Sequence, residues 1–298
     1  MKPITKLVLS GGGSKGICML GALHYIYENN IEKDINEIWG VSIGSVIGLC
    51  LAIGYKPIEI FQYMYIKESF IEKLNGNFYE MIEKKGIYSI KEFGNQVFNL
   101  IHKKIGYMPT FRDIYNHFHI KLFIIGTNVN KISGEIFNVY RTPDMNVVDA
   151  IEISCNIPFL FSKKFYNGDM YVDGGFFNIY PIDLANNHNY EDEYILGIDI
   201  HDSKLDSIDN SIVKHISWII KLLYVSMKTN YELRKNYTNE NIIDVKINIE
   251  DISMFQMNPS KKEKMKYFII GYKEMINYSK KNSILSCQIK NTYLEKVN

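Results

Sequence analysis

Two rhythms of apolar residues alternate along this chain. Short unbroken apolar runs predict buried strands at residues 6–10, 37–41 (EIWGV), 194–200 (YILGIDI) and 242–249. Between them the spacing turns helical: Ile17, Leu20, Leu23, Ile26 and Tyr27 recur through residues 16–29. Residues 43–53 are apolar and rich in small side chains, as suits a buried helix. Strand, tight turn and helix thus occur twice in the first fifty-five positions. An amphipathic stretch at residues 57–104, broken near Asn75–Asn77 and at Gly86, predicts a helical excursion. Residues 121–129 and 135–141 predict a hairpin across a polar turn, and residues 146–156 a helix stopped by Pro158. A short strand at 170–173 runs into Gly174-Gly175, a long apolar helix follows at about 209–234, and a Lys-rich helix spans 259–281.

Alternating units of this kind predict an α/β fold with a mostly parallel central sheet sandwiched by helices. No repeat and no Pro/Gly/Ser linker divides the chain, so residues 1–298 are expected to form a single domain. Composition narrows the function. With 34 basic and 33 acidic residues there is no broad basic face, and nucleic acid is not an expected partner. Cys18, Cys50, Cys155 and Cys287 show no CxxC spacing and read as free thiols in a reducing compartment. The N-terminal apolar run is too short for a signal-peptide core, and the longest one, residues 41–54, is too short to span a bilayer. A cytoplasmic protein is expected, with any membrane contact peripheral.

Chemistry concentrates at the strand ends. Gly40-Val41-Ser42-Ile43-Gly44 is a GxSxG string between a strand and a helix, where a nucleophilic serine on a sharp turn would project from the sheet edge. Gly11, Gly13 and Gly16 also spell GxGxxG, but the second strand ends in Gly40-Val41-Ser42 and lacks the acidic residue that binds a dinucleotide ribose. Lys15 is followed by Gly16, not Ser or Thr, which removes the P-loop reading. What remains is a run of backbone N–H groups at a helix start, suited to an anion and, opposite a serine nucleophile, to an oxyanion. The serine needs a base. Of the seven histidines only His201 stands near a sheet edge, whereas Asp173 ends a strand directly before Gly174-Gly175, either as a turn residue or as a base.

Taken in order, LVLSGGGSKG, GVSIGS and VDGGFFNIYP resemble the patatin-like phospholipases, serine acyl hydrolases with a Ser/Asp dyad and no catalytic histidine. DAIEISCNIPFLF resembles the family's stretch before its aspartate, and TNVN with EIFNVY its central hairpin. The resemblance covers about residues 6–200, while about 235–298 forms an unassigned extension. It implies a three-layer fold, Ser42 as nucleophile, Asp173 as general base, and the amides of Gly11, Gly12 and Gly13 as oxyanion hole. Lys15, Gly16, Gly40, Gly44, Gly174 and Gly175 complete the motifs, and Asn178 and Pro181 match structural positions. Ser10 stands where plant patatins carry an aspartate, and Ile179 replaces a second asparagine often seen near Asn178.

The implied reaction is two-step acyl transfer on phospholipids or related acyl lipids at a membrane or micelle surface, with no cofactor and no metal. Burial would raise the pKa of the aspartate toward its working range. The apolar stretch at residues 211–225 reads as a core helix ahead of a lipid-facing lid. Two alternatives stand beside this one: a Ser/His/Asp hydrolase of the α/β-hydrolase class using His201, and a catalytically silent lipid-binding protein.

Overall fold

Eight strands build one sheet among the described residues, which are 2–66, 88–186, 193–202, 226, 240–249 and 259–297 of a computed structural model. Strand β1 (Ile4–Leu9) leads through a 3-10 turn (Gly13–Lys15) into α1 (Gly16–Glu28), and β2 (Glu37–Gly40) into α2 (Ile43–Ala52). After α3 (Pro57–Ile66), α4 (Ile90–Ile105) and α5 (Phe111–Phe118) come β3 (Lys121–Asn128), β4 (Ser133–Phe137) and α6 (Val147–Ser154). The hairpin β5 (Lys164–Tyr166) and β6 (Asp169–Asp173) precedes the short helices α7 (Gly175–Asn178) and α8 (Ile182–Asn186). Strands β7 (Tyr194–Asp202) and β8 (Ile242–Ile249), then α9 (Lys261–Lys281) and α10 (Ser283–Val297), complete the order.

The sheet runs β5-β6-β3-β2-β1-β7-β8, with β4 on β3 outside that path. The pairs β1–β2, β2–β3, β1–β7 and β7–β8 are parallel; β3–β4, β3–β6 and β5–β6 are antiparallel. Alternate residues of each central strand feed opposite cores. Leu7, Leu9, Ile38, Ile124 and Ile198 face the larger one, shared with α1, α2, α4, α6 and α9. Val8, Trp39, Val41, Phe123 and Ile125 face the smaller one, covered by Ile179, Tyr180 and α8. There Trp39 and Phe123, directly paired in register, stack with ring centroids 4.1 Å apart. The expected mostly parallel sheet between helical layers is therefore present.

Local chemistry sets the boundaries. The strand expected at residues 37–41 ends at Gly40, and the one expected at 170–173 begins at Asp169 and ends before Gly174-Gly175. The hairpin partner expected at 135–141 lies instead at β4, because the Asn138 side-chain oxygen accepts the N–H groups of Tyr140 and Arg141 and turns the chain out of the sheet. The 57–104 excursion contains α3 and α4; its breaks near Asn75–Asn77 and at Gly86 lie outside the described residues, as does the apolar stretch 211–225. Helix α4 stops at Gly106, whose φ of 82° is the left-handed cap common at helix ends. Strand β8 pairs with β7 along its whole length, and α9 crosses α1 closely enough that a Cβ on Gly21 would overlap the Phe268 carbonyl and one on Gly271 the Cys18 carbonyl. The unassigned C-terminal region thus adds a strand to the sheet and a helix to the larger core.

Candidate active site

Two strands share one edge of β3. Gly40 of β2 pairs with Ile124, and Asp173 of β6 pairs with Gly126, while β4 takes the opposite edge over Ile124–Asn128. Because β2 runs parallel and β6 antiparallel to β3, their C-terminal ends meet head to head. That junction is where the chain places Ser42 and Asp173.

At the end of β2 the chain turns abruptly into α2. Ser42 adopts φ 52° and ψ −126°, a left-handed conformation that costs a non-glycine residue about 1–3 kcal/mol. Its N–H donates to the Ser154 hydroxyl at 2.9 Å, and its carbonyl accepts from the Ser45 hydroxyl at 2.6 Å. The flanking glycines are required by close approach: a Cβ on Gly44 would sit 2.5 Å from the Leu9 carbonyl, and one on Gly40 2.6 Å from the Gly44 carbonyl. In this way GxSxG lets α2 press against β1 while Ser42 stands at the bend.

Asp173 is buried, and one of its oxygens, Oδ1, accepts the Gly175 N–H at 2.8 Å. Burial pushes the carboxyl up to about 7, against the opposing pull of that N–H and of the Ser42 hydroxyl. Oδ2 has no hydrogen-bond partner among the described residues, so the Ser42 hydroxyl lies near the carboxylate without forming a well-aligned bond to this oxygen. Such contacts are often long before substrate binds. Cys155 lies beside both groups; burial, and then the Asp173 charge, push its thiol well above the ordinary range and keep it protonated. Gly174 approaches the Ile125 carbonyl too closely for any side chain, and Gly175 opens α7.

The glycine run lies at the end of β1, beside α2. Ser10 ties its start to β7, accepting the Ile200 N–H at 3.0 Å and donating to the Gly11 carbonyl at 3.1 Å. The Gly11 N–H donates to the Ile179 carbonyl at 2.8 Å. Its single hydrogen is therefore engaged within the fold, whereas the N–H groups of Gly12 and Gly13 meet no acceptor among the described residues. Asn178 sets up this arrangement: its side chain donates to Asp183 at 2.6 Å and accepts the Tyr180 N–H, holding the turn that presents Ile179. Lys15 closes the 3-10 turn and is buried, and Gly16 abuts the Ile43 side chain.

Four of the described histidines have other surroundings. His24 contacts Glu28 and packs beside Phe268 and Tyr272, His102 lies against Phe98, and His117 meets the Tyr107 hydroxyl. His119 caps α5 in a left-handed conformation. His201 falls near the end of β7, and its side chain lies outside the described residues. Sequence reading missed Ser154, Asn156 and the bonds of Ser10, because nothing in SCNIP or LSGGG tells which distant amide a serine meets. Among the described residues no group of three or more His, Cys, Asp or Glu side chains could hold a metal ion, and no helix is long and apolar enough to cross a membrane.

Comparison with known proteins gives this arrangement a lineage. An uncharacterized protein of Acanthamoeba polyphaga mimivirus is 31% identical over 91% of this chain and 92% of its own length. A probable lipid hydrolase of Invertebrate iridescent virus 6 is 30% identical over 80% of this chain and 77% of its own. Among solved structures, VipD from Legionella pneumophila superposes with a TM-score of 0.56 at 16% identity, covering 92% of this chain and 66% of VipD. Human GIVD cytosolic phospholipase A2 gives 0.55 at 8% identity, over 98% of this chain and 60% of that one; at such identities the likeness is one of fold. The family model for patatin-like phospholipases matches residues 7–186, which include the glycine run, GxSxG and Asp173-Gly174-Gly175, and the chain belongs to that family.

Proposed function

We propose that this patatin-like protein hydrolyses ester bonds of phospholipids or related acyl lipids through a Ser42/Asp173 dyad and an acyl-enzyme intermediate. The observation that carries the reading is the buried Asp173 carboxyl, pushed up to about 7, beside a serine on a strained strand-to-helix turn. In the first step Asp173 takes the Ser42 proton as Oγ attacks the ester carbonyl. The Gly12 and Gly13 amides receive the oxyanion, and the departing alcohol leaves with the proton from Asp173. Water then attacks the acyl carbonyl as Asp173 takes its proton, and Asp173 returns that proton to Ser42 Oγ as the fatty acid departs.

Approach to lipid is supported at the same end of the sheet. Beyond the Gly126 register, Phe165 of β5 pairs with Met170 of β6, whose carbonyl accepts the Val129 N–H just past β3, and Ile132 stands in the β3–β4 turn. Ile132 is 90% and Phe165 59% exposed, so apolar side chains stand open to solvent beyond the end of β3.

The test is turnover of vesicles containing phospholipid, lysophospholipid or neutral lipid, with fluorophosphonate labelling. Wild type should release fatty acid and label at Ser42; Ser42→Ala and Asp173→Asn should lose turnover, and His201→Ala should keep it. Labelling of another serine, or loss of activity on His201→Ala with Asp173→Asn active, would overturn the dyad. A wild type that binds vesicles without hydrolysing any of these lipids would favour the silent lipid-binding alternative.

A further inference from the structure

One three-residue segment at the end of α6 reaches both halves of the proposed dyad. The Ser154 hydroxyl accepts the Ser42 N–H at 2.9 Å. The Ser154 carbonyl accepts the Gly174 N–H at 3.2 Å, and the Asn156 carbonyl accepts the Asp173 N–H at 2.9 Å. Asn156 also donates through its side chain to the Tyr171 carbonyl, at 2.9 Å. The nucleophile is thus held by a side chain, and the base strand mainly by backbone.

We infer that Ser154 is a positioning residue for the acyl-transfer reaction, its hydroxyl fixing the Ser42 backbone so that Oγ faces Asp173. This inference rests on Ser42 being the nucleophile. Ser42 is left-handed, and the bend turns its N–H toward the end of α6 and away from the bonding of α2. A buried N–H must find a partner within the protein, and here that partner is one side-chain oxygen on a different element. Ser154 is fully buried, so water does not stand ready to replace it. Without the hydroxyl the strained φ loses the bond that opposes its relaxation, and the Cα–Cβ direction of Ser42 becomes free to drift. The Asp173 ties are backbone carbonyls and survive any substitution at position 154. Loss of the hydroxyl should therefore spoil the alignment of nucleophile with base while leaving the base in place.

These roles predict a specific pattern in Ser154→Ala, Ser154→Cys and Ser154→Thr, measured on a soluble fluorogenic ester with active sites counted by fluorophosphonate titration. Alanine removes the acceptor and cysteine offers a weak one, so kcat per titrated site should fall about 10–100-fold in both, the range expected for an unmet buried amide. KM and the midpoint of the pH–rate profile should stay near the wild-type values, and the labelling rate should fall with kcat. Threonine keeps the hydroxyl and should restore most of the turnover per site. A purely structural role would lower the titratable fraction and leave kcat per site unchanged, and that result in alanine and cysteine would overturn the inference. So would equal loss per site in threonine and alanine. Full turnover in Ser42→Ala, measured in parallel, would instead refute the nucleophile assignment, which keeps the two failures distinct.

Discussion

Gly40 and Asp173 pair with β3 two positions apart on the same edge, opposite Ile124 and Gly126. Two positions along a strand are about 7 Å, so β2 and β6 end almost in contact and little chain is left to separate Ser42 from the carboxylate. The proposed dyad is in this sense a property of sheet topology: an antiparallel strand closes the edge that a parallel strand leaves open. Both partners are buried by the same event, and the electrostatics follow from that.

A base at about 7 makes turnover depend on pH in a defined direction. In the proposed mechanism the carboxylate is the active form, so kcat/KM should rise about tenfold per pH unit below 7 and level off above it. The rate of fluorophosphonate labelling should follow the same curve. A profile flat from pH 5 to 8 would show that Asp173 has an ordinary carboxyl pKa or is not the base.

The same group should set a pH dependence of stability. In the folded chain Asp173 holds its proton up to about 7, whereas the ordinary value is 3.8. Between those values the native state binds a proton that the unfolded chain has lost. Its contribution is therefore full below 3.8 and is lost as pH rises to 7, with an upper limit of about 4 kcal/mol for a difference of about 3 on the pH scale. Asp173→Asn has no charge to bury and should gain stability relative to wild type as pH is raised from 4 to 8. Urea unfolding across that range would show it; parallel curves for the two proteins would contradict it.

The parts of this fold that could be read in the sequence are those where burial and punctuation coincide. Strands β1, β2 and β7 are apolar on both faces, and the first two run into glycine-containing turns, so position and partner type were both legible. Strand β5 was not: three residues, Lys164–Tyr166, carry no alternation, although Asn167-Gly168, with φ of 49° and 86°, is the kind of two-residue turn that marks a hairpin. Helix α5 was signalled by Thr110 and Asp113, which form a reciprocal cap, but its eight residues were overlooked after the longer excursion. The three donors of the glycine run were legible as donors. That Ile179 claims one of them depends on the turn held by Asn178, a contact between distant parts of the chain that no local pattern encodes.

The crossing of α1 and α9 gives a stability prediction away from the site. A Cβ on Gly21 would overlap the Phe268 carbonyl, which is backbone and does not rotate aside. Gly21→Val and Gly271→Val should each force the helices apart and cost at least about 1–3 kcal/mol, lowering the thermal midpoint by several degrees. Ile269→Ala, at an exposed position of α9, should change it less. Midpoints from calorimetry or circular dichroism decide the matter: equal shifts in all three would mean that α9 does not dock on α1 through these glycines.

The glycine run yields the sharpest division between positions. Gly13 has φ 55°, a conformation side chains rarely adopt, so Gly13→Ala should rotate the local backbone and carry its amide out of line with the oxyanion. Loss of one such donor costs about 10²–10³ in kcat in other acyl-transfer enzymes, and a loss of that order is expected here with KM nearly unchanged. At Gly12 an added Cβ would lie 3.3 Å from a side-chain carbon of Ile200, which needs to yield only slightly. Gly12→Ala should therefore lose less turnover than Gly13→Ala. At Gly11 the amide is already bound to Ile179, and an added Cβ would meet that same residue's side chain at 3.1 Å. Gly11→Ala should act by disturbing the Ile179 turn, and removing the Cγ1 it meets, in Gly11→Ala/Ile179→Ala, should recover part of the loss. The same trimming should do nothing for Gly13→Ala. Steady-state kinetics on the five variants would separate donor loss from crowding; equal losses at all three glycines, without recovery in the Gly11 double variant, would mean that the amides of Gly12 and Gly13 are not the distinguishing feature of the loop.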